Sequence, residues 1–274
     1  MINLKQYWIL IISLVFMCVI NSCRDVFNYS PHEVTIDPEN TNLIAKGISE
    51  IKTNALKDDT IKFVITGDTQ GRLDEVKDFV SIVNQIGNID FTLVCGDLTN
   101  WGLADEFEWL HEEMELLNAP YIPVIGNHDF IANGPLIFQE MYGAFDYSFK
   151  IGKYKFVAVN TNSIEFAFDG SVPDIKWLTQ ELADTVGIKN IFVYSHIMPW
   201  DNAFDSNLEM PFANALAGSK VAVSFHGHHH NPEDSYRYND GVRYVIPGST
   251  GKRVFILVKL WDDGDSYSSE TVYF

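Results

Sequence analysis

The stretch YIPVIGNHD (Tyr121–Asp129) decides how this chain is read, because an apolar run ends at a glycine followed by an amide, an imidazole and a carboxylate. Four more stretches repeat the arrangement: IKFVITGDTQ (Ile61–Gln70), FTLVCGD (Phe91–Asp97), IFVYSH (Ile191–His196) and VAVSFHGHHH (Val221–His230). Short runs rich in β-branched and aromatic residues, closed by glycine or polar residues, read as buried strands. The polar residues therefore sit where core strands end. Burying so many charged and polar groups without partners is costly. Carboxylate and amide oxygens together with imidazole nitrogens are donors for divalent cations. Five such strand ends in one chain predict a site for two divalent metals.

The ordered blocks Asp68-Thr69-Gln70, Gly96-Asp97, Gly126-Asn127-His128-Asp129, Ser195-His196 and Gly227-His228-His229-His230 resemble the calcineurin-like metallophosphoesterase superfamily. Its usual order is Asp-x-His, Gly-Asp, Gly-Asn-His-Asp/Glu, a lone His and Gly-His-x-His. The resemblance runs from about Ile61 to about Gly251, and it departs at Gln70, where the family usually has histidine. It implies an α/β fold, a four-layer αββα sandwich of two mixed β-sheets flanked by helices.

By motif position the resemblance implies that Asp68, Gln70 and His230 hold one metal. It assigns Asn127, His196 and His228 to the other, with Asp97 bridging. In such sites a water between two ions loses its proton near neutral pH and attacks phosphorus in line with the leaving group. The ions expected are two divalent metals of the manganese, zinc or iron kind. His128 is the expected general acid for the leaving oxygen or a stabiliser of transition-state charge, with Asp129 expected to hold its ring. Extended geometry would place His228 and His230 on one side and His229 on the other, so His229 and His226 read as bystanders. His111 reads as a surface residue. Gln70 either binds metal as a neutral carbonyl donor or caps a turn before Gly71. Arg72 either reaches a substrate phosphate or is a surface arginine. Asn100 and Trp101 follow Asp97 and are expected to line the pocket, with packing in the core as the alternative for Trp101.

Between the blocks, helices are expected over residues 74–86, with Val76, Phe79, Val80 and Val83 inward, and over 104–117, with Phe107, Leu110, Met114 and Leu117 inward. A hairpin is expected around Gly152, and a helix opening with Pro173 at its first turn. A β-rich end carries turns at Asn239-Asp240-Gly241 and Asp263-Gly264. Loops 162–172 and 199–218 are expected to rim the pocket. Their Phe166, Phe168, Trp200 and Phe204 either stack on substrate or anchor the loops.

The frame fits one domain over residues 60–274. A hydrophobic content of 46% excludes a disordered chain. A formal net charge of −18, with no basic run, makes long nucleic acids poor partners. Two divalent ions set against Asp68, Asp97 and a hydroxide would leave about one local positive charge, enough to draw in a small phosphorylated substrate. At the start, Lys5 precedes an apolar stretch from Tyr7 to Ile20 that is shorter than the roughly 20 residues a spanning helix needs. Residues 1–22 read as a signal peptide. Ile20-Asn21-Ser22-Cys23 resembles a bacterial lipobox, with Cys23 lipidated as the mature N-terminus. Residues 23–59 then form a tether and an amphipathic segment carrying Ile44, Ile48 and Ile51. The expected location is the cell envelope, lipid-anchored outside the cytoplasm, and the alternative is an uncleaved N-terminal anchor. Cys95, left as the one other cysteine beyond the leader, reads as a small buried hydrophobe. The expected activity is hydrolysis of a small phosphomonoester or phosphodiester. Two alternatives are a lipoprotein that binds a phosphorylated or metal-linked ligand without turnover, and a surface protein braced by metal.

Overall fold

The computed structural model describes Trp8 and residues 34–54, 60–261 and 266–274. The leader, Cys23 and the Asp263-Gly264 turn lie outside the described residues. In chain order the strands are β1 (Thr60–Thr66), β2 (Phe91–Val94), β3 (Tyr121–Pro123), β4 (Tyr147–Ile151), β5 (Tyr154–Val159), β6 (Asn190–Ser195), β7 (Val221–His226), β8 (Glu233–Ser235), β9 (Arg243–Ile246), β10 (Val254–Trp261) and β11 (Tyr267–Tyr273). They form two mixed sheets, ordered β11-β10-β1-β2-β3 and β4-β5-β6-β7-β9-β8. β1, β2 and β3 run parallel in the first sheet, as do β5, β6, β7 and β9 in the second. Parallel pairing brings successive carboxyl ends to one edge of a sheet, where ligand sites in α/β proteins collect.

Aromatic side chains join the two sheets. Phe63 of β1 stacks on Phe91 of β2 at 5.0 Å and meets Phe156, Phe192 and Phe225 of β5, β6 and β7 edge-on at 5.4–6.4 Å. The period of two along a strand makes this possible. Phe156 faces this inter-sheet core, while its neighbour Val157 packs in a second cluster with Leu178, Leu182, Phe212 and Leu216.

Among the described residues six helices cover the sheets: α1 (Leu43–Asn54), α2 (Leu73–Ile86), α3 (Ala104–Met114), α4 (Gly134–Met141), α5 (Ile175–Ala183) and α6 (Ser206–Ala217). Within α1, Ile44 and Ile51 are buried and Ile48 packs partly against the core, as their spacing predicts. Two helices differ from the sequence reading. α4, which carries Pro135 in its first turn, lies where no element is expected, and α6 lies inside the segment 199–218 expected as loop, with Pro211 in its interior. Pro173 is not in the first turn of α5. It follows a cis peptide bond, and Asp174 caps the helix by accepting from the Trp177 N–H at 2.9 Å. His111 is buried rather than exposed, with Nδ1 2.9 Å from the Tyr121 hydroxyl.

Candidate metal centre

Glycines let the strand ends close up. A Cβ on Gly126 would lie 2.0 Å from the Asp97 nitrogen, and one on Gly227 would lie 2.4 Å from the Cys95 carbonyl oxygen. Any side chain at either place would push two of the five loops apart. The same crowding forces Asp97 (φ 51°) and His228 (φ 65°) into the left-handed region, which non-glycine residues seldom adopt. Such strain persists where surrounding structure over-determines it, and it concentrates at functional sites. Backbone hydrogen bonds lock the arrangement: the Thr69 and Gln70 N–H groups donate to the Asp97 carbonyl at 3.1 and 3.0 Å.

Asp97, Asn127, His196 and His228 converge. His196, fully buried, donates its Nδ1–H to the Cys95 carbonyl at 2.7 Å. Its Nε2 therefore points inward, 3.0 Å from Asn127 Oδ1 and 3.3 Å from Asp97 Oδ1. His228 Nδ1 approaches the same Asn127 oxygen at 3.0 Å. The donor atoms of Asp97, His196 and His228 all lie within 4.8 Å of one another, the one such group of three His, Cys, Asp or Glu side chains among the described residues. With Nδ1 protonated, the Nε2 lone pair of neutral His196 faces two oxygen lone pairs. A cation reconciles them, either a proton on Nε2 or a metal ion in its place.

The charges show the same demand. Burial works against charging His196, but the carboxylates of Asp97 and Asp68 overcome it and lift the ring to about 9. Burial likewise opposes ionisation of Asp97, yet His196 and the His128 N–H outweigh it and hold the carboxyl below its ordinary range. His228 is pushed down by burial and by His196. The donor set fits a divalent ion.

Asp68, Gln70 and His230 form a second, looser group. Asp68 is buried; its Oδ1 accepts from the His228 N–H at 2.9 Å and its Oδ2 lies 2.9 Å from His230 Nε2. The pairing with Asp68 raises His230 despite partial burial. The His230 side chain is 47% exposed, against none for His196. Gln70 Oε1 is buried and has no hydrogen-bond partner among the described residues. A buried carbonyl left this way costs about 1–3 kcal/mol, and a cation beside Asp68 would satisfy it. This group also fits an ion.

His128 and Asp129 part company. They lie in a short 3-10 turn (His128–Phe130), which sends adjacent side chains in different directions. The His128 ring donates Nδ1–H to the Asn100 carbonyl at 3.0 Å, leaving Nε2 without a hydrogen-bond partner among the described residues. Asp129 does not hold that ring. It is fully buried and accepts from the Leu98, Thr99 and Gly126 N–H groups and the Thr99 hydroxyl, all at 2.9–3.1 Å. Burial and the charge of Asp97 push its carboxyl up to about 7, against the pull of those donors. Asp129 thus splints the loop after β2 to the loop after β3, with Asp97 between them.

The backbone of the triple histidine is not extended, because β7 ends at His226 and His228 is left-handed. His228 and His230 still reach the two groups, through turn geometry instead of strand alternation. His229 Nε2 lies 3.1 Å from Asp201 Oδ2, and Asp201 Oδ1 stands 3.7 Å from His228 Nε2. Nothing in the local sequence flags Asp201, or Asn100 as the acceptor for His128. His226 is a core histidine between the Ser195 and Ser224 hydroxyls at 2.9 and 3.0 Å, and burial pushes it down to about 3. Cys95 is buried, as read. Phe204 is buried, and Trp200 packs on His226 and Tyr244, so these two anchor their loop. Trp101 is exposed, not core, and so is Phe168.

Residues 61–232 match the profile described as Calcineurin-like phosphoesterase. A 42-residue stretch is 43% identical to a probable cyclic nucleotide phosphodiesterase of Moraxella catarrhalis (strain BBH18), covering 15% of each chain. A 72-residue stretch is 29% identical to a probable cyclic nucleotide phosphodiesterase of Xenorhabdus bovienii (strain SS-2004), covering 26% of this chain and 29% of that protein. The matches thus span well under half of these relatives. The fold resembles a purple acid phosphatase from yellow lupin (Lupinus luteus) seeds, with a TM-score of 0.54, 15% identity, and coverage of 79% of this chain and 54% of that one. The profile covers more than half of the sequence and takes in every strand end of the site: this chain belongs to the calcineurin-like phosphoesterases.

Proposed function

We propose that the protein hydrolyses a small phosphorylated ester with two divalent cations, manganese, zinc or iron. One would be held by Asn127, His196 and His228, the other by Asp68, Gln70 and His230, with Asp97 shared. The observation that carries this reading is the inward-facing His196 Nε2, set against the oxygens of Asn127 and Asp97 in a wholly buried position. When bound, the ions neutralise phosphoryl charge and lower the pKa of a water at the site. Asp97 Oδ1 also accepts the His128 N–H at 2.9 Å, which ties the position of His128 to that of the shared carboxylate. The Asn100 carbonyl fixes the His128 ring with Nδ1 protonated, so Nε2 is the atom that hands a proton to the leaving oxygen. Asp129 acts at a distance, by holding the two loops in register.

The names of the two bacterial relatives make cyclic phosphodiesters the first substrates to try. A location in the cell envelope is proposed on the leader alone, and Cys23→Ser is expected to release the protein from membranes or block its maturation, read by fractionation. Unchanged attachment would favour an uncleaved anchor. The activity is tested with the purified 274-residue chain on p-nitrophenyl phosphate, bis-p-nitrophenyl phosphate and a 3′,5′-cyclic nucleotide, each metal added in turn. Metal-dependent turnover that disappears in Asp97→Ala supports the proposal. Bound metal without turnover of any ester would favour a binding role.

A further inference from the structure

The chain carries 37 acidic against 19 basic residues, so an unpaired cation at the site needs a reason. Two stand there. Arg72 and Lys252 line a cavity of about 210 Å³ together with Asp68, Gln70 and His230. Neither has a carboxylate within ion-pair distance among the described residues. The other described arginines are engaged: Arg243 with Asp234, Arg253 with Asp78, and Arg237 over the Trp200 ring. The Arg72 stem lies across Gly251, where a Cβ would come within 3.3 Å of its Cγ and Nε. The glycine leaves that side of the cavity open to the guanidinium.

The cavity is off-centre. Its lining includes the Asp68–Gln70–His230 group but not Asp97, Asn127, His128, His196 or His228. On the phosphoesterase reading, the phosphoryl group undergoing transfer would be held by ions that share Asp97 and would present its leaving oxygen to His128. Cations on the His230 side are displaced from that position. Guanidinium and ammonium groups bind phosphate and carboxylate oxygens through charge-assisted hydrogen bonds.

We infer that Arg72 and Lys252 form a subsite for a second anionic group, a phosphate or carboxylate carried by the substrate a few bonds from the scissile phosphate. This rests on the phosphoesterase reading and narrows it to substrates with two anionic ends.

The test uses alkylphosphonates of two to four carbons, with and without a terminal carboxylate or second phosphonate, as inhibitors of p-nitrophenyl ester hydrolysis. At one chain length the doubly anionic compound is expected to bind roughly tenfold or more tightly than its alkyl partner. That advantage should fall about threefold in Arg72→Ala or Lys252→Ala and vanish in the double variant. Arg72→Lys should retain part of it, because charge remains while the planar fork is lost. No advantage at any length, or one that survives the double variant, would overturn the subsite. An equal loss for both members of each pair would also overturn it, placing the cations on the scissile phosphate instead. If no ester is hydrolysed, the phosphoesterase reading has failed separately, and calorimetric binding of the same pairs still decides the subsite.

Discussion

The two halves of the centre are built differently. The half around Asn127, His196 and His228 is closed: His196 is inaccessible, its ring is fixed from behind by Cys95, and its neighbours touch one another. The half around Asp68, Gln70 and His230 is half open, with its imidazole 47% exposed and one carbonyl unpartnered among the described residues. A ligand whose ring is fixed from behind and desolvated loses little freedom on binding, whereas an exposed one must be ordered. The closed half should therefore hold its ion more tightly. A neutral glutamine in place of imidazole weakens the open half further. If both halves hold ions as proposed, the two ions differ in affinity.

The largest effect should come from the residue both halves share. Asp97→Ala is expected to lower turnover roughly a thousandfold or more, since several kcal/mol of charge stabilisation depend on the paired ions. Steady-state kinetics with metal analysis checks this, and the two ions should be lost together. His128→Ala should lower kcat about a hundredfold while metal content stays the same. A parallel loss of metal would show that His128 acts as a ligand or a structural support, not as the proton donor.

The next pair separates the halves. His196→Ala should weaken metal binding by roughly 100-fold and His230→Ala by roughly tenfold, measured by competition with a chromophoric chelator. Equal losses would break the asymmetry. The smallest and most pointed change is Gln70→His, which restores the donor usual in the family. It should tighten the weaker ion about tenfold and leave the stronger one unchanged. An unaltered weak site would mean that Gln70 does not face the ion.

The closed half was more legible in the sequence than the open one, and position was more legible than partnership. The apolar runs and the glycines that end them placed the strands, because period and composition are local properties. Which strand ends share an ion depends on strand order and turn geometry, which are not local. The resemblance supplied that pairing. Where local reasoning stood alone, it failed in recognisable ways. Asp129 follows His128 in sequence, yet a 3-10 turn points it to the backbone of a different loop. His111 lies among five acidic residues on α3, and only a tertiary contact with Tyr121 shows why it is buried. Arg72 is exposed, as a surface arginine would be, and only the folded chain shows that it lines one cavity with Lys252. Asp201 belongs to no motif and appears only when the loops are folded together, and Asn100, read as pocket lining, acts instead through its backbone carbonyl on His128.

Staged metal removal tests the central claim most directly. The chain, loaded with manganese, would be dialysed against rising chelator while bound metal and ester hydrolysis are followed on the same samples. Two unequal ions acting together predict that hydrolysis is lost as the first equivalent leaves, with about one equivalent still held and catalytically silent. Full activity with a single bound equivalent, or loss of both equivalents in one step, would contradict the account.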